Sequence, residues 1–535
     1  MTGSPEEWVG YFKTRDLAEF VKLTGRISVP GTVRLDVPNR RTFGLPMTLS
    51  GDLEDQVSGS AGFFGETAQL AGKSDGQIFS GRLAVGDSEG TFELRRVAVW
   101  DIRRYRKLSA AYAVADGRRI SIFVNADDWV GAPTMFYSEN DRMVRVYPDS
   151  SGMLISEAGE SFTLAADKAG LDAVRPLIRV DDSPAAAIAR VAAWEDEDIT
   201  ITGPAGVLSG TLMKPPGPGP HPAIVLIHGA AGGRRDLYRA YAEHFVQAGL
   251  AALVYDKRGH GESAGSAELT FEEKSFDAEA WVDYLQSRAD IRSDRVGVWG
   301  LSNGSWVAPM VAARRPDVAF LAVVGASGTT ALETEIHRRA FDLREQDVPH
   351  EQVEQVTELW RLIYKLLLSR QPDAEHAERF DHLTKLVQAS GALARVRLQQ
   401  YAIDEPFLGP VPPYQSYQQV IDDLPQHSDT DEWTCDPADY YKLISVPVLF
   451  LVGDHDSNLP ALRSAQRISK TLYDAGNHRA TVLLFPNTGH VMNVAEPGSD
   501  TGMTSEEAGY RFHHFRFAGG FIDIVRSWAT AQASA

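Results

Sequence analysis

Val296-Gly297-Val298-Trp299-Gly300-Leu301-Ser302-Asn303-Gly304-Ser305-Trp306 changes period in mid-course. Its first half alternates and is β-prone, and the run that follows, with Val307, Met310 and Val311, has helical spacing. Between the two, Gly300, Ser302 and Gly304 stand at two-residue intervals. The pattern predicts a strand, a tight turn and a helix. A serine at the tip of such a turn takes a strained backbone conformation, and the positions two before and two after it are so crowded that glycine fits best. The geometry pushes the Ser302 hydroxyl outward and leaves the Asn303 N–H at the start of a helix, where it can stabilise an oxyanion. Ser302 is the candidate nucleophile and Asn303 a candidate oxyanion donor. The motif alone is also compatible with a turn that does no chemistry.

Outward from this turn, strands and helices alternate. Ile199–Ile201 and Leu208–Met213 predict an opening hairpin, and Ala223-Ile224-Val225-Leu226-Ile227 reads as a buried strand ending in His228-Gly229-Ala230-Ala231-Gly232-Gly233. Small residues there let the backbone approach a substrate carbonyl, so the Ala230 N–H is the second candidate oxyanion donor. A helix over Arg235–Ala248 and a strand over Leu250–Tyr255 lead into Asp256-Lys257-Arg258-Gly259-His260-Gly261-Glu262-Ser263, a tight turn of structural type. Downstream of the serine, the strand Val446–Val452 ends in Gly453-Asp454-His455-Asp456, and Thr481–Phe485 ends in Pro486-Asn487-Thr488-Gly489-His490. An acid and a histidine therefore each follow a strand, at the strand ends where an open α/β sheet gathers its site.

With these motifs in hand, the sequence resembles the α/β-hydrolase-fold serine hydrolases, nearest to the bacterial esterase and serine-aminopeptidase-like branch. The resemblance covers roughly residues 196 to 330 and 441 to 530. It implies Ser302 as nucleophile, His490 as general base, Asp456 as its orienting carboxylate, and Asn303 with Ala230 as the oxyanion hole. Asp454 is the competing acid; Asp456 is preferred because the family pattern sets the carboxylate three residues after the glycine. Chemistry agrees independently, since a serine hydroxyl is a poor nucleophile until a histidine held by a carboxylate takes its proton. His228 and His260 lie in turns nearby and are read as structural. The cluster Asp454-His455-Asp456 and the pair His513-His514 lack a full ligand set, so no metal is expected, and no cofactor-binding fingerprint is present.

Bulk properties fit this reading. A chain of 535 residues exceeds one ordinary core and predicts at least two domains. A net charge of −19 repels phosphate backbones and anionic membranes, so neither nucleic acid nor membrane is an expected partner; a small acyl substrate is. The single cysteine, Cys435, excludes an intrachain disulfide. The opening residues Met1–Glu7 show no basic segment followed by an apolar core, and apolar runs are strand-length, so a soluble cytoplasmic protein is expected.

Residues 1–190 are expected to form a β-rich domain. Val33–Val37, Phe92-Glu93-Leu94 and Ile120–Val124 alternate like half-buried antiparallel strands, and Met143–Tyr147 with Met153–Ile155 flank turn-type residues. Pro5–Leu23, with Trp8, Tyr11, Phe12, Phe20 and Val21, reads as a leading amphipathic helix, and Leu171–Ala193 as a linker or short helix. The region resembles all-β segments found ahead of some bacterial hydrolase domains. Residues 191–535 form the expected catalytic domain, with a helical cap inserted at about 331–440. Val353, Val356, Trp360, Ile363 and Leu367 make a helical stripe there that serves a substrate pocket or the cap's own core, and Pro406–Tyr414 is a non-helical candidate for the cleft entrance.

The leading function is a carboxylic ester hydrolase working through an acyl-enzyme. A peptidase releasing N-terminal residues is the alternative in the same fold, with Glu351, Glu354 and Glu358 of the cap as carboxylates for the substrate ammonium. A non-hydrolytic acyltransferase or lyase, or a binding protein with a vestigial triad, is the third.

Overall fold

The computed structural model describes residues 6–15, 17–27, 30–38, 42–52, 56–63, 65–98, 109–114, 119–125, 134–139, 141–151, 153–157, 160–166, 172–179, 188–190, 194–230, 232–369, 371, 373–392, 416–423, 431–494 and 514–534. It divides into two compact units, Met1–Ala193 with Glu506–Arg516, and Trp194–Ser505 with Phe517–Ala535.

The first unit opens with an antiparallel barrel of β1 (Glu7–Thr14), β2 (Ala18–Thr24), β3 (Gly31–Val37), β4 (Thr42–Asp52), β5 (Gln56–Phe63), β6 (Glu66–Ser74), β7 (Ile78–Val85) and β8 (Ser88–Arg96), closed by pairing of β1 with β8. β5 shows why: Val57, Gly59, Ala61 and Phe63 point inward while Gln56, Ser58, Ser60 and Gly62 face solvent. Closure removes the exposed edges that an open sheet would leave. A second antiparallel sheet follows, from β9 (Ala110–Val114), β10 (Arg119–Asn125), β11 (Thr134–Glu139), β12 (Arg142–Pro148), β13 (Met153–Ser156), β14 (Glu160–Ala166) and β15 (Asp172–Arg179) to β16 (Ile188–Arg190). Its strand order is β15-β14-β13-β12-β11-β10-β9-β16, and His514–Arg516 adds a short strand against β12.

Two expectations are corrected here. Pro5–Leu23 is no helix: Glu7–Thr14 and Ala18–Thr24 form a hairpin in which Trp8 faces Leu23 and Tyr11 faces Phe20. Trp8, Phe12, Val21 and Leu23 fill the barrel core, whereas Val9 and Phe20 pack on the outer side against Tyr147 and Ile155. With both faces buried, the strand alternation disappears and aromatic spacing imitates a helix. Leu171–Ala193 likewise contains β15 and β16 rather than a linker helix. The β14–β15 register shifts between Ser161 and Thr163, so Pro176 and Leu177 oppose Phe162 alone, a bulge where a residue without an N–H costs the ladder little.

The second unit is built on a sheet with the order β17-β18-β20-β19-β21-β22-β23-β24. β17 (Glu195–Gly203) and β18 (Gly206–Lys214) are an antiparallel hairpin. β19 (His221–Ile227), β20 (Ala251–Tyr255), β21 (Ile291–Leu301), β22 (Leu321–Val324), β23 (Val448–Gly453) and β24 (Ala480–Phe485) run parallel to one another. Helices cover both faces, which explains why β19 from Pro222 onward and the whole of β20 are apolar instead of alternating. On one face, Val225 and Val298 pack with Trp281 of α2 (Phe271–Gln286), Val307 and Val311 of α3 (Gly304–Arg314) and Ile468 of α9 (Ala461–Asp474). On the other, Trp299 meets Tyr241 of α1 (Arg239–Gln247), and Phe320 meets Trp528 of α10 (Phe521–Ser534). This is the α/β-hydrolase fold, preceded in the chain by an antiparallel β-barrel domain.

Between β22 and β23 the chain makes a helical insertion: α4 (Ala331–Glu345), α5 (His350–Ser369), α6 (Ala374–Ser390), α7 (Tyr417–Asp423) and α8 (Pro437–Tyr441). Val353, Val356, Trp360 and Ile363 of α5 pack with Phe380, Leu383 and Val387 of α6, so the predicted stripe is the insertion's own core. The Leu367 side chain and Pro406–Tyr414 lie outside the described residues. Among the described residues, no helix is long and apolar enough to cross a membrane.

Candidate active site

The turn after β21 carries the strain its sequence implies. Ser302 has φ +55°, a left-handed conformation that a side chain disfavours. Crowding makes its neighbours glycine: a Cβ on Gly300 would lie 2.1 Å from Gly304 O, and one on Gly304 would lie 2.6 Å from Ile227 O. The strained residue is held by backbone bonds on both sides, Ser302 N–H donating to Val324 O at 3.1 Å and Ser305 N–H to Ser302 O at 2.7 Å. Tertiary structure thus fixes a conformation the serine would leave if free.

Loops after three parallel strands meet at this point. His490, beyond β24, places Nε2 at 2.7 Å from Ser302 Oγ and Nδ1 at 2.8 Å from Asp456 Oδ2. Asp456, beyond β23, is buried, and its Oδ1 accepts the N–H groups of Asn458 at 2.8 Å and Leu459 at 3.1 Å. A carboxylate fixed by two amides cannot swing away, so the imidazole keeps the tautomer that leaves Nε2 free to accept the serine proton. Asp454, the competing acid, bonds instead to His455 Nδ1 at 2.7 Å and takes the Thr488 N–H at 3.3 Å. A serine, a histidine and a carboxylate in this order of hydrogen bonds have the geometry that nucleophilic catalysis by a serine requires.

Ala230 and Asn303 flank the serine. Asn303 is buried at the start of α3, and its Oδ1 accepts from Lys274 Nζ at 3.4 Å. The His228–Ala230 segment lies against Ser302, since a Cβ on Gly229 would stand 3.2 Å from Ser302 Cβ. Among the hydrogen bonds of the described residues, none uses the Ala230 or Asn303 backbone N–H.

His228 and His260 do not enter this constellation. His228 is buried edge-on between Tyr238 and Tyr255, and burial, reinforced by the nearby Lys257 charge, holds its pKa well below the usual histidine range. His260 Nδ1 pairs with Arg258 O at 3.0 Å. The Asp256–Ser263 turn is bound by its own polar groups: Asp256 accepts from Arg235 and from the Glu262 N–H, and Arg258 reaches Asp277 at 2.7 Å. Among the described residues, no group of three or more His, Cys, Asp or Glu side chains gathers to hold a metal.

Three residues near the site carry no motif signal of their own. Tyr238 and Lys257 touch the His228–Ala230 segment, and His337 of α4 donates from Nε2 to the Asp456 carbonyl at 3.2 Å. All three act on backbone atoms outside their own elements, which a residue pattern does not encode.

Strand order, the serine turn and the loops that meet there define the class as an α/β-hydrolase fold. The model of the family described as X-Pro dipeptidyl-peptidase (S15 family) matches residues 206–491, more than half of the chain, and the chain belongs to that family. The quorum-quenching protein AidA of Acinetobacter baumannii is 39% identical over 98 residues, 18% of this chain and 32% of that protein. Esterase EstD of Thermotoga maritima is 33% identical over 129 residues, 23% of this chain and 30% of that protein. The chain thus spans about a third of the length of these curated relatives. Among solved structures, the Pyrococcus furiosus esterase Pf2001 aligns with 64% of this chain and 91% of its own, at 14% identity and a TM-score of 0.36.

Proposed function

We propose that the protein is a serine hydrolase that cleaves a carboxylic ester through an acyl-enzyme. The observation that carries this reading is the unbroken hydrogen-bond chain from Ser302 Oγ through His490 to Asp456, assembled on a strained turn. His490 takes the serine proton as Ser302 attacks the acyl carbon, and returns it to the departing alkoxide. The Ala230 and Asn303 N–H groups stabilise the oxyanion, and a water activated by His490 then releases the acid. The helical insertion acts as the cap that selects the acyl or alcohol portion. An intact chain of this kind favours catalysis over a vestigial triad, and the esterase among the relatives agrees with the bond chosen.

A peptidase removing an Xaa-Pro dipeptide is the second reading, favoured by the family to which the chain belongs. Such a reaction needs a carboxylate for the substrate ammonium. Of the three carboxylates expected for this role, Glu354 and Glu358 are already engaged, with Arg344 at 3.7 Å and Arg379 at 2.6 Å, while Glu351 accepts from Gln355 Nε2 at 3.3 Å; Glu335 is buried against Arg339 at 2.7 Å. The pairing of two of these three carboxylates favours the ester.

The test is turnover of a p-nitrophenyl acyl-ester series beside Xaa-Pro anilides, with wild type and Ser302→Ala. Ester turnover lost in Ser302→Ala supports the esterase reading. Anilide turnover without ester turnover moves the assignment to the peptidase.

A further inference from the structure

We propose that Lys257 and Tyr238 are positioning residues that clamp the oxyanion loop, holding the Ala230 N–H toward the reacting centre. The proposal rests on the serine-hydrolase reading above and identifies what keeps its second oxyanion donor in place.

The geometry is specific. Gly229 N–H donates to the Tyr238 hydroxyl at 2.6 Å, and Lys257 Nζ donates to the Ala230 carbonyl at 3.0 Å. The two bonds therefore fall on either side of the Gly229–Ala230 peptide, whose own N–H is the proposed donor. This peptide hangs between the Gly229 and Ala230 Cα atoms, so its N–H goes where they go. With the preceding N–H and the following carbonyl both tethered, neither Cα can shift without stretching one of the two bonds, and the donor stays beside Ser302. An oxyanion hole works because its donors are already in place when charge develops, so holding this loop conserves rate and not only structure.

Both clamps stand on rigid supports. Tyr238 ends the short helix Arg235–Tyr238, and its ring lies edge-on to His228 and Trp299. A Cβ on Gly229 would be 3.3 Å from the Tyr238 hydroxyl and 3.2 Å from Ser302 Cβ, so tether and serine crowd the same face of one glycine. Lys257 is buried, and its own N–H donates to Gly233 O at 2.8 Å, fixing the base of the side chain to the far end of the same loop. A buried ammonium bound to a carbonyl makes a charge-assisted bond, stronger than a neutral donor would give. The Asp256–Ser263 turn thus holds the oxyanion loop through its lysine.

The test compares wild type, Lys257→Met, Lys257→Arg, Tyr238→Phe and Ser302→Ala on an acyl ester and its thionoester, whose sulfur uses an oxyanion hole poorly. Thermal melts accompany each variant. Lys257→Met should lower kcat on the ester about 10- to 100-fold while KM moves less than about 3-fold. The ester-to-thionoester ratio of kcat/KM should fall about tenfold, with partial recovery in Lys257→Arg and a smaller fall in Tyr238→Phe. A folded Lys257→Met that slows both substrates alike, or neither, overturns the clamp. Should that variant fail to fold, an unchanged ratio in Tyr238→Phe overturns it instead. Full ester turnover in Ser302→Ala would overturn the hydrolase reading itself, a result separable from the others.

Discussion

His490 Nδ1 sits 2.8 Å from Asp456 Oδ2, while the second oxygen of that carboxylate is occupied by the Asn458 and Leu459 amides. The acid is therefore fixed before any substrate arrives. Replacing it with Asn keeps the shape but presents an amide that can hold the wrong imidazole tautomer. Asp456→Asn should lower kcat about 10^3- to 10^4-fold with an unchanged melting temperature. Asp454→Asn, whose carboxylate faces His455, should stay within about 3-fold of wild type. Steady-state kinetics on one ester checks both.

The contact of His337 with the Asp456 carbonyl links the helical insertion to the acid loop. Burial lowers the pKa of His337, which keeps the ring neutral with Nε2 as donor. His337→Ala should reduce kcat about 3- to 10-fold, and His337→Gln, which retains a donor, should restore part of it. Equal activity in all three proteins would show that the acid loop stands without the insertion.

The glycines of the serine turn allow a stability prediction. A Cβ at position 300 would collide with the Gly304 carbonyl at 2.1 Å, a backbone atom that cannot rotate aside. Gly300→Ala should cost about 3 kcal/mol or more, read as a fall in the urea midpoint or as insolubility. These collisions also explain why the site was legible in sequence. Gly300 is dictated by the turn's own backbone and Gly304 by the strand end at Ile227, so the glycine spacing carries the geometry with it. The apolar strand Ala223–Ile227 was equally plain, because covering on both faces leaves no polar positions to confuse the period. The same double covering hid the β1–β2 hairpin, where Val9 and Phe20 pack outside the barrel and Trp8 and Phe12 inside it. Lys257 was legible only as a turn residue, since its partner is a backbone carbonyl at Ala230 in a different loop.

Acid stability follows from a buried histidine. His244 of α1 is driven down to about 3 by burial and then by the neighbouring Arg526 charge. Its pKa is depressed in the fold, so as pH falls below about 6.5 the unfolded chain takes up a proton that the native state refuses. The stability contribution is complete above that pH and is lost progressively toward pH 3. Between pH 7 and pH 5 this one group should remove about 2 kcal/mol. Urea melts of wild type and His244→Gln check it: whatever the variant loses at pH 7, its further loss on going to pH 5 should be smaller by about that amount.

Whether Ser302 is an activated nucleophile is read directly by covalent labelling with a fluorophosphonate probe. The adduct is located by peptide mass spectrometry in wild type, Ser302→Ala and His490→Ala. Wild type should label rapidly and once, at Ser302, Ser302→Ala should carry no adduct, and labelling of His490→Ala should be slowed by orders of magnitude. No labelling of correctly folded wild type, or an adduct at another residue, would contradict an activated Ser302.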